Sequence, residues 1–180
     1  MGHNKKHSNL DFKFMSFLFK IRDFFKSPMQ KIEKAEIKPG YFILDYGCGP
    51  GSYSMAAIEI VGPSGKIYAA DIHPSAIKEV NKRALKKNLK NIETIQTDCK
   101  TGLEPNSIDV IICFDMLHDI EDKNCILKEF HRVLKPKSIL SFDDHHMKEN
   151  EILETLTSEG LFELVDTKDN QYNFTKVILK

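Results

Sequence analysis

The chain has 180 residues, 41% of them hydrophobic and 29% charged, with 26 basic side chains balancing 26 acidic ones, the composition of one globular domain. Charge balance excludes a general nucleic-acid surface, which needs a basic face, and no apolar run approaches the roughly 18 residues that span a membrane. The four cysteines, Cys48, Cys99, Cys113 and Cys125, form no C-x-x-C pair, so no thiolate metal centre is expected and, without a secretory signal, they are read as reduced thiols of a cytoplasmic protein.

Residues 1–40 are distinctive, with nine Lys or Arg against four Asp or Glu. Asp11 to Lys26 holds six phenylalanines, and Phe14, Leu18, Ile21 and Phe25 fall on one helical face. A second helical stretch is expected over Met29 to Ile37. Residues 1–38 therefore read as a helical lid or cap on a single domain spanning 1–180. Three roles stay open for this segment: a lid over a crevice, simple packing, or a basic amphipathic helix on an anionic membrane.

From residue 41, short apolar runs alternate with helical patterns. Strands are expected at Tyr41–Tyr46, Lys66–Asp71, Ile92–Asp98, Ile108–Phe114 and Ser138–Phe142. Helices are expected from Ser52, from Pro74, from Asp122 as a cap to a point before Pro136, and around Ile152 to Leu156, the last stopped by Gly160. Two strands close the chain, Phe162–Thr167 and Tyr172–Leu179, around a turn at Asp169-Asn170. Alternation with continuously apolar strands predicts an α/β fold, a doubly wound parallel sheet with helices on both faces. The final strand–turn–strand makes one edge mixed.

The sharpest motif is Asp45-Tyr46-Gly47-Cys48-Gly49-Pro50-Gly51 at the end of the first strand. Glycines there let the backbone turn tightly and approach a ligand in the crevice beyond the strand ends. A dinucleotide fingerprint reads G-x-G-x-x-G, but here the third glycine comes one residue early and Ser52 stands in its place. Asp45 lies two positions before Gly47, and S-adenosylmethionine (SAM) carries an ammonium and a sulfonium that a carboxylate favours. Asp71, at the end of the second strand, is placed to accept hydrogen bonds from both ribose hydroxyls. Asp98 is placed to meet the adenine amino group, and the Cys99 N–H an adenine ring nitrogen.

Together these blocks resemble the class I SAM-dependent methyltransferases, particularly the small ubiquinone- and menaquinone-biosynthesis group. The resemblance covers about Lys38 to Lys137 and rests on Ile43–Gly51, Ala70–Pro74, Gln96-Thr97-Asp98, Ile108–Ile120 and Phe130–Pro136. It implies a Rossmann-like seven-stranded sheet of order 3-2-1-4-5-7-6 with one antiparallel strand. It also implies that Ile72 sits beside Asp71 in the cofactor site, and that Phe114 or Asp115 holds the methionine end of SAM.

Candidate bases should follow the fourth and fifth strands. His118 follows the fourth, as a pocket-lining or a structural histidine. Asp143-Asp144-His145-His146 follows the fifth, and His145 joins His118 as the candidate catalytic pair. The tetrad has three open readings: a base or substrate-orienting group, a solvated loop whose acids cap the next helix, or a metal site, with no metal expected. The expected function is methyl transfer from SAM to a small-molecule acceptor. Alternatives are a quinone- or lipid-directed enzyme at a membrane surface, a SAM-binding protein without catalysis, and, more distantly, an NAD-dependent oxidoreductase.

Overall fold

A computed structural model describes residues 27–178. The Phe-rich stretch Asp11 to Lys26 lies outside them, so the structure does not address that part of the lid reading. The described chain begins with α1 (Pro28–Lys34), where Pro28 opens the helix and the Ser27 hydroxyl accepts the Met29 N–H. This helix is shorter than the expected 29–37 stretch, because its cap at Ala35 is followed by Glu36 in a left-handed turn.

The alternation that follows is β1 (Phe42–Tyr46), α2 (Ser52–Val61), β2 (Lys66–Asp71), α3 (Pro74–Lys86), β3 (Ile92–Gln96), β4 (Ile108–Phe114) and α4 (Lys123–Val133). Then come β5 (Leu134–Asp143), α5 (Glu149–Thr157), β6 (Phe162–Lys168) and β7 (Gln171–Lys176). One seven-stranded sheet runs in the order β3-β2-β1-β4-β5-β7-β6. The first five strands are parallel, and β7 lies antiparallel between β5 and β6. Asp169 and Asn170, both at positive φ, close the β6–β7 hairpin, the conformation that a two-residue turn requires.

Leu44, Ile111, Cys113 and Phe142 face Ile126, Phe130 and Val133 of α4 and Ile152 and Leu156 of α5. On the opposite face Ile43, Ile67, Val110 and Ile112 pack against Ile32 of α1 and Ala57, Ile58 and Val61 of α2. Successive strand residues point to opposite faces, so this double burial explains why the central strands carry no polar alternation.

Further expectations need correction, the last strand among them, which runs Gln171–Lys176 and not Tyr172–Leu179. β5 begins at Leu134, ahead of Pro136, not at Ser138: Leu134 pairs with Ile108, pairing resumes at Ile139 with Val110, and left-handed Lys137 absorbs the irregularity between. A bulge is where a strand tolerates proline. β3 stops at Gln96, and residues 97–107 cross to β4 without a helix, unlike the other parallel connections. Lastly, Cys99 and Cys125 are joined in a disulfide, with Cα atoms 6.1 Å apart, so these two are not reduced thiols; Cys48 and Cys113 are free and buried. No cysteine spacing signals the pairing, because the crossover and α4 meet only in the fold.

Candidate active site

The glycine turn sits at the carboxyl end of β1 and is tied to β2, since the N–H groups of Gly47 and Cys48 both donate to the Ala70 carbonyl, at 2.8 and 3.0 Å. Gly47, Gly49 and Gly51 all have positive φ. At Gly51 the requirement is also steric, as a Cβ there would stand 2.8 Å from Val80 Cγ2 on α3. A Cβ on Gly47 would meet Met116 Cγ at 2.8 Å. The turn beyond β1 is therefore in close packing with the segment that follows β4.

Asp71 organises the β2 side. One oxygen accepts the Gly49 N–H at 2.9 Å and the other the His73 N–H at 2.7 Å. Burial raises its pKa, opposed by those two hydrogen bonds. A carboxylate offers about four lone-pair directions, and backbone hydrogen bonds from Gly49, His73 and Ile72 occupy part of them. Ile72, half-buried, lies between Asp71 and His73.

Asp45 is 2% exposed, beneath the turn, and its carboxylate accepts the Ser54 hydroxyl at 2.5 Å. Burial, with the nearby Asp71 charge adding to it, raises its pKa to about 6 against the Ser54 hydrogen bonds. Asp98 is exposed just past β3. Cys99 differs from expectation, because its N–H donates to Thr97 Oγ1 at 3.2 Å and its carbonyl accepts the Tyr46 hydroxyl at 3.3 Å.

The ends of β4 and β5 carry two imidazole–carboxylate pairs. His118 lies on a single helical turn, Leu117–Asp119, and its Nδ1 is 2.9 Å from both oxygens of Asp144. The Asp144 side chain is fully buried and also accepts the backbone N–H groups of His118 and His146, both at 3.1 Å. His118 Nε2 faces the exposed Asp119 carboxylate at 3.4 Å. The second pair joins His145 Nδ1 to Asp115 Oδ1 at 2.7 Å, with His145 mostly exposed. His146 stacks between the two, its ring 4.2 Å from His118 and 3.9 Å from His145. The capping reading of the tetrad is overturned for its acids: α5 has no side-chain cap, and Asp143 and Asp144 are engaged inside the site.

Lys31 of α1 reaches this wall, 2.9 Å from Asp143 and 3.5 Å from Asp115, over the rings of Phe114 and Tyr53. Burial opposes its charge, but Tyr53, Asp115 and Asp143 together hold its pKa above the ordinary lysine value. Partial burial opposes the Asp115 charge, yet His145 and Lys31 hold its pKa below the ordinary carboxylate value. Asp115 stands at φ +51°, strain of the kind that collects at functional sites. Phe114 is almost fully buried, edge-on to Tyr53. Among the described residues, no cluster of three or more His, Cys, Asp or Glu is arranged to hold a metal.

A sequence profile described as a methyltransferase domain matches residues 37–177. The chain belongs to the methyltransferase-domain family. This methyltransferase-family chain is 30% identical over 148 residues to a demethylmenaquinone methyltransferase of Lactobacillus johnsonii, covering 81% of the chain and 58% of the relative. It is 34% identical over 107 residues to a ubiquinone/menaquinone biosynthesis C-methyltransferase of Ectopseudomonas mendocina, covering 58% and 42%. It thus spans about half the length of the curated relatives it matches. Among solved structures, a SAM-dependent methyltransferase from Aquifex aeolicus superposes with a TM-score of 0.76 at 21% identity, covering 84% of this chain and 90% of that one. The [4+2]-cyclase SpnF superposes at 0.70 and 19% identity over 79% and 58%. Likeness at that level shows the shared fold alone.

Proposed function

We propose that the protein transfers a methyl group from SAM to a small-molecule acceptor whose proton is removed at His118. The observation that carries this reading is the imidazole–carboxylate pair His118–Asp144, set at the ends of β4 and β5 beside the glycine turn. The residues fit SAM: the Asp71 carboxylate at the end of β2 suits a vicinal diol, and Asp45 lies under the turn where a cationic group is favoured. Gly47, Gly49 and Gly51 supply the close backbone approach, with Ile72 and Asp98 as the adenine side and Phe114 and Asp115 as the methionine side. When bound, SAM supplies a methyl group activated by its sulfonium.

The chain's own residues then have three tasks. Asp144 accepts and cannot donate when ionised, so it keeps the His118 proton on Nδ1 and leaves Nε2 as the acceptor of a substrate proton. Asp119 lies within reach of the N–H that this uptake creates. Lys31, pairing with Asp115 and Asp143, holds α1 against the same wall and limits water there. His145, more exposed, orients the acceptor from the rim.

The relatives' printed names favour a hydroquinone-type acceptor, in which loss of a phenolic proton makes the ring carbon nucleophilic. The basic, Phe-rich N-terminal sequence suits such a substrate at a membrane surface, although no helix among the described residues is long and apolar enough to cross one. The test combines calorimetry of SAM and S-adenosylhomocysteine (SAH) with a product scan over hydroquinones, phenols, amines and thiols. Binding without turnover on any acceptor would replace the enzyme by a SAM-binding protein, and binding of NAD instead of SAM would overturn the reading.

A further inference from the structure

We propose that the Cys99–Cys125 disulfide is a thiol-exchange site that sets how tightly the crevice holds its nucleotide; this rests on the reading of the crevice as a SAM site. The crossover 97–107 is the parallel connection without a helix, so it buries little of its own and depends on clamps to α4. Besides the Asn106 and Ser107 N–H groups, which donate to the Arg132 and Val133 carbonyls where the crossover enters β4, two clamps hold it. At the rear, Glu129 accepts the Thr101 N–H and hydroxyl at 2.8 and 2.6 Å, and Arg132 donates to the Leu103 carbonyl at 2.7 Å. At the front, nearer the crevice, the covalent clamp is Cys99–Cys125.

The front clamp is coupled to the ligand wall through a short chain of bonds. The Thr97 N–H donates to the Asp71 carbonyl at 3.1 Å, and Thr97 Oγ1 accepts the Cys99 N–H. Asp98 lies between these two residues. The Tyr46 hydroxyl, from the strand that leads into the glycine turn, donates to the Cys99 carbonyl. Cys99 and Cys125 are half-buried, whereas Cys48 and Cys113 are 4% and 0% exposed. An incoming thiolate therefore reaches one pair and leaves the buried two untouched.

The exchange balances with a dithiol reductant, such as a cysteine-pair reductase or dithiothreitol. Its thiolate attacks one sulfur, forms a mixed disulfide and expels the other cysteine as thiolate. Its second thiol then resolves the mixed disulfide, so two electrons and two protons pass to Cys99 and Cys125 as the reductant becomes a disulfide. Once reduced, the front of the crossover keeps only hydrogen bonds on a half-exposed loop and populates arrangements that do not line the crevice. Apparent affinity falls by the fraction of the competent arrangement. The coupling is reciprocal, so a tenfold effect on binding is about 30 mV on the midpoint of the disulfide.

The experiment measures SAH affinity by calorimetry on the whole chain, oxidised with diamide and then reduced with dithiothreitol, with thiols counted by mass spectrometry. Amide exchange over residues 97–107 is followed in parallel, and Cys125→Ser serves as a permanently open form. The expected result is about 5- to 20-fold weaker SAH binding in the reduced and Cys125→Ser proteins, restored in wild type by reoxidation, with faster exchange over 97–107. Equal affinity and equal exchange in both redox forms overturns the proposal, as does failure of diamide to join Cys99 to Cys125. If neither form binds SAH, the SAM reading fails; faster exchange on reduction then still supports thiol control of the crossover, and unchanged exchange overturns it.

Discussion

Asp144→Asn removes one charge and almost no volume, which makes it the sharpest probe of the His118 assignment. The two carboxylate oxygens receive four donor contacts: the His118 and His146 N–H groups at 3.1 Å each, and His118 Nδ1 at 2.9 Å from both oxygens. An asparagine offers one oxygen and one NH₂ group. If the NH₂ takes the Oδ1 place, it confronts the His146 N–H; in the Oδ2 place, it confronts the His118 N–H. One buried backbone donor loses its acceptor either way, costing about 1–3 kcal/mol of stability. The amide can also donate to Nδ1, which moves the imidazole proton to Nε2 and removes the base. Turnover should then fall about 10²–10⁴-fold, or roughly 3–5 kcal/mol in the barrier, with SAH affinity unchanged. Imidazole ¹⁵N resonances report the tautomer without any acceptor, and a radiolabelled methyl assay reports turnover. A variant with the wild-type tautomer and full turnover would refute the assignment of His118 as the base.

Other outcomes follow from the same geometry. Asp71→Asn should weaken SAH binding about 10- to 100-fold by calorimetry, since one oxygen that accepts a backbone N–H becomes a donor; unchanged affinity would remove Asp71 from the site. Gly51→Ala adds a Cβ 2.8 Å from Val80 Cγ2 at φ +82°, so it should cost about 2–4 kcal/mol in denaturant titration. Val80→Ala in that background should recover part of the loss, and strict additivity would show that the two sites do not touch. Asp45, with its pKa raised to about 6, makes a contribution to the unliganded fold that is present in acid and is lost as pH rises through about 6. A cationic ligand favours the ionised form, so SAM affinity should climb several-fold between about pH 5 and 7. Asp45→Asn should flatten that rise, and an identical slope in the variant would assign it to another group.

The sequence foretold the elements whose signals are local. β2 and β4 fall where their apolar runs place them, and the glycine turn and Asp71 belong to one strand–turn–helix–strand passage, so their proximity follows from chain order. In the sequence Pro136 reads as a boundary, whereas a bulge with left-handed Lys137 carries β5 past it. The last strand, expected over Tyr172–Leu179, starts one residue earlier and ends at Lys176; Gln171, next to the turn, looks like a surface residue, and so does Asn173. Both are buried, bonded to Ser141 and to the main chain of α1. Lys31 was missed because nothing near it in sequence anticipates Asp115 or Asp143. His145 is a candidate by its place after the fifth strand, whereas its tie to Asp115 belongs to tertiary structure alone.

The hydrogen bonds from Gln171 and Asn173 to the carbonyls of Lys31 and Lys34 span 140 and 139 residues. They give the protein an order of assembly. The seat of α1 is built partly by β7, the last of the described strands in chain order, which must slot between β5 and β6 before those carbonyls find their donors. During translation, at about 5–20 residues per second, the early helix therefore waits several seconds for its partner while β1 to β4 pair. Contacts of such sequence separation are slow to close, because the loop entropy must be offset first. Among the described residues, the wall that Lys31 completes is thus expected to mature late and to loosen early under mild denaturation, which amide exchange on Ile32 and Ala35 would read.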